Sequence, residues 1–575
     1  YQEARLVGEI ENTGVVRIVN GTQAARLWLT ENANPSVTLT GGGEIVLGDA
    51  ATPGRPGELW EGFDGAFGTR TVSNVNHTIR GYGRIGNTQY DTWMALQNSS
   101  LVQADVSGQT LSIGLLSATN SGGTFRAKLG ANMSLYARGG FNNTGGVIEA
   151  ESGGSVSFAG GTQVTDGVVR NNGGSFNLSN ATLINGGSGF TLQGTFMVDA
   201  NKTVGLVGDI TNEGTIHLRP TGTSRSTIGI GLTGTLANSV SGGGELVLGD
   251  AALSSVSDPR LSVASGAPNN MSFTLNDQTL RGFGVVGFNQ SDSREMLLTN
   301  NGSIRADVNG KTLAFVPNTL TNSPGKVIRA TGGGVAYFNP VSLTNTGATL
   351  RAESASKVTF DGNMVLIGGM VETQSGGTME FMRQFTAQGG VIFSNAGTAL
   401  FGTSNGNVTF EGLANGGSSF INAGTMRKTG TGEYILRTAL NSTGAINVES
   451  GVMRNFGGGT IANGSFATSA GADLTFQGSP SYSFSGINLF TGEGMPAIAD
   501  TTTLLADANT ELRTNHFRLY NATLSGPGLL SHTGQLHFYP ATSNTISGSR
   551  METKSGGTAS VEVFYYAPLN LTNGA

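Results

Sequence analysis

The chain has 575 residues, of which 91 are glycine, 14 proline and none cysteine; 12% are charged and the formal net charge is −6. This length points to several domains or one long repeat. The absence of cysteine excludes disulfides, thiol catalysis and thiolate metal sites. No run of Lys and Arg supplies the footprint of a nucleic-acid binder, and no apolar run reaches the roughly 18 residues of a membrane-spanning helix. Val, Ile, Leu, Phe and Thr recur throughout, which argues for a packed fold and against disorder. Glycine keeps no G-X-Y period, so collagen is excluded.

The chain opens on Tyr1 rather than Met, which fits a removed signal peptide or a piece of a longer chain. Its first block returns some 200 residues later. RLVGEI at 5–10 is echoed by GLVGDI at 205–210, TGGGEIVLGDAA at 40–51 by SGGGELVLGDAA at 241–252, and TIRGYGRIG at 78–86 by TLRGFGVVG at 279–287. SLVQADVSGQTLSI at 100–113 is echoed by SIRADVNGKTLAF at 303–315. Three segments follow: a block over 1–200 with a loop insertion at 52–76, its duplicate over 201–400 with a loop insertion at 253–275, and a more divergent continuation over 401–575.

A shorter period runs inside these blocks. GATL at 347–350, GGMV at 368–371 and GGVI at 389–392 are spaced by 21; VTF at 358–360, MEF at 379–381 and ALF at 399–401 keep step. A fixed period near 20 marks a solenoid. Each rung is a few short strands whose alternate side chains turn inward, separated by Gly and Asn corners that tolerate positive φ. One rung cannot bury its apolar face alone, whereas stacked rungs bury it and pair the backbone. The expected fold is all-β: a right-handed parallel β-helix (β-solenoid) of about 20 residues per rung. It forms a single elongated rod of about 28 rungs and roughly 130 Å.

The rung texture of ITNEGTIHL at 210–218 and LTNNGSIRADVNGKTLAF at 298–315 resembles the passenger repeats of autotransporters and related bacterial surface β-helix proteins. The resemblance implies export, a right-handed parallel β-helix, and roles in adhesion, aggregation or surface coating. The expected function is therefore that of a secreted, non-catalytic structural or adhesive β-solenoid of a bacterial cell surface or matrix. Its expected partners are itself, in head-to-tail or lateral assembly, and surface polysaccharide, with no nucleic acid, no transmembrane segment and no cofactor. The alternatives are a polysaccharide lyase or hydrolase built on a β-helix and a carbohydrate-binding adhesin. A groove with three or more convergent Asp, Arg, Lys or His side chains would favour the enzyme, and ladders of Asn, Ser, Thr and Val the structural role.

Few residues suggest chemistry. GYGRIG at 81–86 and GFGVVG at 282–287 fit the dinucleotide fingerprint, but no amphipathic helix follows either, so both read as a repeated turn. Asp49 and Asp250, like Asp105 and Asp307, recur with the repeat and read as rung features. Trp28, Trp60 and Trp93 occur only in the first block, and Glu58, Glu61 and Asp64 flank Trp60. These six are the candidate ligand or interface contacts, suited to stacking on a sugar or holding a cation. His516 and His537, 21 apart, could share a column. Asn-x-Ser/Thr triplets at Asn76, Asn132, Asn180 and Asn521 follow from composition. No residue is assigned a catalytic, metal-binding or cofactor-binding role.

Overall fold

Runs of three to six residues alternating apolar with small or polar side chains, closed by Gly or Asn, recur along the chain, and in the computed structural model each is a strand. The structure describes residues 2–18, 25–30, 35–51, 56–61, 68–87, 93–231, 236–253, 257–264, 266–287, 295–340, 342–402, 408–412, 417–478, 481–539, 543–561 and 569–572. Among them the only helical element is a single 3-10 turn, Ala251–Leu253. The chain divides into two compact units, Tyr1–Gly302 and Ser303–Ala575.

In the first unit thirty-six strands, from Gln2–Arg5 to Met296–Asn300, are dealt in rotation to three parallel sheets, here A, B and C. Within the unit, strands three apart in this order pair with each other. In sheet A, Gln2–Arg5 pairs with Ala25–Trp28, then Gly57–Trp60, then Gly83–Gly86. The second unit repeats the pattern from Ser303–Ala306 to Leu569–Thr572. This is a parallel β-solenoid, with a turn of about 23 residues. The spacing of 20–21 was taken from the stretch with the tightest corners, where Leu350 stacks on Val371 and Met379 on Ala399. Elsewhere longer corners stretch the turn, to 32 residues between Arg26 and Glu58. The count of 28 rungs is therefore too high.

The two segments read as loop insertions also need correction. Residues 52–76 contribute Gly57–Trp60 to sheet A and Arg70–Asn74 to sheet B. Residues 253–275 contribute Arg260–Val263 to sheet B and Met271–Leu275 to sheet C. Their Gly, Pro and Ser hide short alternating runs such as GELW, whose Leu59 is fully buried.

Inward side chains stack into columns. In the second unit Phe315, Phe338, Phe360, Phe381 and Phe401 lie one above the next with ring centroids 5.1–5.7 Å apart and planes within 23°. Each buried ring contributes roughly 1.5–3 kcal/mol of burial energy. At corners the column is polar. In the first unit the buried amides Asn74, Asn98, Asn120 and Asn143 each donate from Nδ2 to Oδ1 of the next, at 2.8, 2.8 and 2.7 Å. Asn74 also donates to His77 O and accepts from His77 N, so the amide both closes its own corner and joins the next. In the second unit Asn322 donates to Asn345, and Asn395 to Asn422, which donates to Ser442.

The duplicated sequence does not return to the same sheet. Gly8–Glu11, Glu44–Val46, Thr78–Gly81 and Gly83–Gly86 lie in sheets B, C, C and A. Their counterparts Asp209–Asn212, Glu245–Val247, Thr279–Arg281 and Gly284–Gly287 lie in C, A, A and B. Each counterpart comes twenty-five strands later, which is eight turns of three strands plus one strand. The local geometry is nevertheless kept. Gly81 (φ +110°) and Gly282 (φ +104°) sit where a Cβ would lie 2.1 and 1.9 Å from the carbonyl oxygens of Gly48 and Gly249. A Cβ on Gly48 or Gly249 would in turn strike the ring of Tyr82 or Phe283.

Candidate functional site

Strand alternation puts every second side chain outside, and many outward charges are spent between neighbouring rungs. Arg80 meets Glu44 at 3.0 Å, Arg281 meets Glu245 at 3.0 Å, Arg126 meets Glu149 at 2.5 Å and Arg427 meets Glu449 at 2.8 Å; Arg351 pairs with Glu372. Asp49 holds Arg17, and Asp250 lies 3.1 Å from His217 Nε2. The recurring aspartate thus ties rungs together at Asp49 and lies beside an imidazole at Asp250. Some cations are held inside: buried Lys428 donates to the carbonyls of Thr429, Gly430 and Ser450, and burial lowers its pKa.

The tryptophans and carboxylates singled out in the first block do converge. Register places Arg26 beside Glu58 and Trp28 beside Trp60 on the outer side of sheet A. The two indoles meet edge to face at 5.9 Å, and the Arg26 guanidinium lies 4.3 Å from the Trp60 ring while its Nε holds Glu58 at 2.6 Å. Glu61, 5% exposed, accepts from the Trp93 backbone N–H at 3.2 Å. Burial raises its pKa, against the opposing pull of hydrogen bonds and Arg70. Asp64 lies outside the described residues. Arg26 thus covers a face of Trp60 and holds Glu58, bracing two rungs, while the indole N–H groups of Trp28 and Trp60 are buried with no hydrogen-bond partner among the described residues.

The other candidates resolve similarly. In GYGRIG and GFGVVG the last glycines lie on strands Gly83–Gly86 and Gly284–Gly287, and the next described elements are the strands Met94–Asn98 and Met296–Asn300. His537 stacks in register on Arg518, not on His516, whose Nδ1 accepts from the Gln535 N–H. Among the described residues no group of three or more His, Asp and Glu side chains is placed to hold a metal ion.

A second arrangement, not found from sequence, lies on the outer side of sheet C in the second unit. One outward column reads Arg454, Thr475, Ala497, Arg518, His537; the adjacent one reads Gln477, Ala499, Tyr520, Tyr539. Short side chains in the middle rungs leave a cleft of about 500 Å³ between long ones. Arg454 donates to Glu433 and, at 3.1 Å, to Gln477. Arg518 reaches across the alanine rung to Asp473 and to Met495 O at 2.8 Å. Asp500 closes one end, accepting from Asn521 Nδ2. The signal available in sequence was PAIA at 496–499, two alanines at outward positions of a strand. No family model, no characterised protein and no solved structure matches the chain.

Proposed function

We propose that the chain is a non-catalytic structural or adhesive β-solenoid of a bacterial cell surface or matrix, exported and able to assemble with copies of itself. The observation that carries this reading is the continuity of the interior ladders. Amide columns such as Asn74–Asn98–Asn120–Asn143 and the five-ring Phe315–Phe401 column commit side chain after side chain to stiffness. Many outer arginines and carboxylates are likewise engaged with neighbouring rungs. No helix among the described residues is long and apolar enough to cross a membrane. A terminal turn of any parallel solenoid leaves a row of backbone groups without an intrachain neighbour, and a second copy can supply the next turn. Such end-to-end contact is heterologous and open-ended.

Electron microscopy of the purified chain, with nothing added, tests assembly. Fibres with a regular axial repeat are expected. Single particles at all concentrations would sink self-assembly and leave adhesion through the lateral faces.

A second reading is favoured by the sheet C cleft, where Arg454, Asp473, Asp500 and Arg518 converge. That is the grouping expected of a polysaccharide lyase or hydrolase built on a β-helix.

A further inference from the structure

We infer that the sheet C cleft of the second unit binds a segment of a neutral polysaccharide lying along the stack of rungs. This inference deepens the adhesive side of the proposed function and rests on it.

Three features select the ligand. The first is length. The lining runs over five consecutive rungs, from Arg454 to Tyr539. Four spacings of about 4.8 Å make this a track of roughly 19 Å, open to a chain and longer than a single sugar ring needs. A volume of about 500 Å³ lies in the range of ligand clefts.

The second is charge. Arg454 and Arg518 are matched within the lining by Asp473 and Asp500, and both guanidinium groups already engage carboxylates, Glu433 and Asp473. A polyanion would have to displace those partners. Hydroxyl groups need displace nothing, because they can accept from guanidinium N–H groups and donate to carboxylate and amide oxygens at the same pair.

The third is shape. Tyr520 is 41% exposed, the ring of Tyr539 follows it one rung on, and His537 stacks on Tyr539 with centroids 5.7 Å apart. Beside these rings the floor drops to Ala497 and Ala499. Aromatic faces beside a shallow polar floor suit sugar rings, which carry an apolar C–H face and a polar rim. A protein strand is a poor fit, since the backbone groups of these strands are already paired on both sides.

The test uses the full chain and a panel of neutral oligosaccharides, namely linear glucans, mannans and galactans, with polygalacturonate oligomers as the anionic comparison. Binding is read by calorimetry. At least one neutral oligosaccharide is expected to bind, and Tyr520→Ala and Ala499→Leu, which removes a ring and fills the floor, each to weaken it by about tenfold or more. Trp28→Ala, in the Arg26-braced cluster of the first unit, is expected to leave binding unchanged. Circular dichroism identical to the parent verifies each variant. Absence of binding across the neutral panel, binding confined to the polyanion, or binding by both cleft variants as tight as the parent's would overturn the inference. Release of new reducing ends from a bound oligosaccharide would support the cleft and overturn the non-catalytic reading. Microscopy showing no fibres would leave the cleft intact while removing self-assembly.

Discussion

The two copies of the duplicated sequence in the first unit build the same corner from different residues. In the earlier copy Arg17 is paired with Asp49; in the later one His217 takes the arginine's place beside Asp250. The buried corner position differs too. His77, 1% exposed, has the Leu39 backbone as the polar group that favours its charged form against burial. Its counterpart Gln278 accepts from Asn212 Nδ2 at 2.8 Å and donates to Asn212 O at 3.0 Å. The glycine scaffold is shared, whereas the polar groups set on it are exchanged. Backbone packing is therefore the strict part of the repeat and polar satisfaction the adjustable part.

The largest expected effect tests the shared scaffold. Gly81→Ala and Gly282→Ala should each cost about 3 kcal/mol or more, because both combine positive φ with a carbonyl in the space of the new Cβ. Hydrogen exchange of the adjacent strands reads both losses, and a tolerated substitution in either copy would break the equivalence. Next comes the exchanged corner. Gln278→His should destabilise the later copy by about 2 kcal/mol, since it strips two hydrogen bonds from a buried amide. The reciprocal His77→Gln should stabilise the earlier copy by about 1 kcal/mol by placing there the amide that its counterpart pairs twice. Denaturant midpoints moving in the same direction for both would show that the corners are not interchangeable.

The smallest effect is in pH. Burial, reinforced by Arg219 and Arg281, holds the His217 imidazole below its ordinary value of 6.5 despite Asp250. Burial lowers His77 as well. A histidine lowered in the folded state contributes fully above its unfolded pKa, and that contribution is lost as pH falls through the folded value. In a His77→Gln background, acidification from pH 7.5 towards 5 should reduce exchange protection of Thr215–Arg219 more than that of Val15–Arg17. His217→Arg should remove the difference. A difference that persists in that last variant would place the acid sensitivity elsewhere.

Much of the register was legible in sequence where corners are short. VTF, MEF and ALF do stack, as Val358 on Met379 on Ala399 and Phe360 on Phe381 on Phe401. The assignment of strands to sheets was not, because one short strand hidden in a corner shifts every later strand to the next face. GELW at 57–60, preceded by Pro and Gly, was such a strand. The Trp28–Trp60 cluster was legible because tryptophan is scarce here. Its bracing by Arg26 was not, since a 32-residue turn brings Arg26 onto Glu58. The cleft of the second unit escaped because its defining residues, Ala497 and Ala499, act by being small. The residues around them meet only once three successive turn lengths are known.

The extra strand in the duplication has a consequence for how such a molecule grows. A tandem copy eight turns and one strand long shows that the quantum of extension is one strand with its corner, a third of a turn. Any segment ending at a corner can then be copied without disturbing the stacking. A motif passes to the next face whenever the copied segment exceeds whole turns by one strand, as here, and three such events return it to its starting face. Surface features can thus be distributed around the fold by lengthening alone, before any residue on the new face has changed.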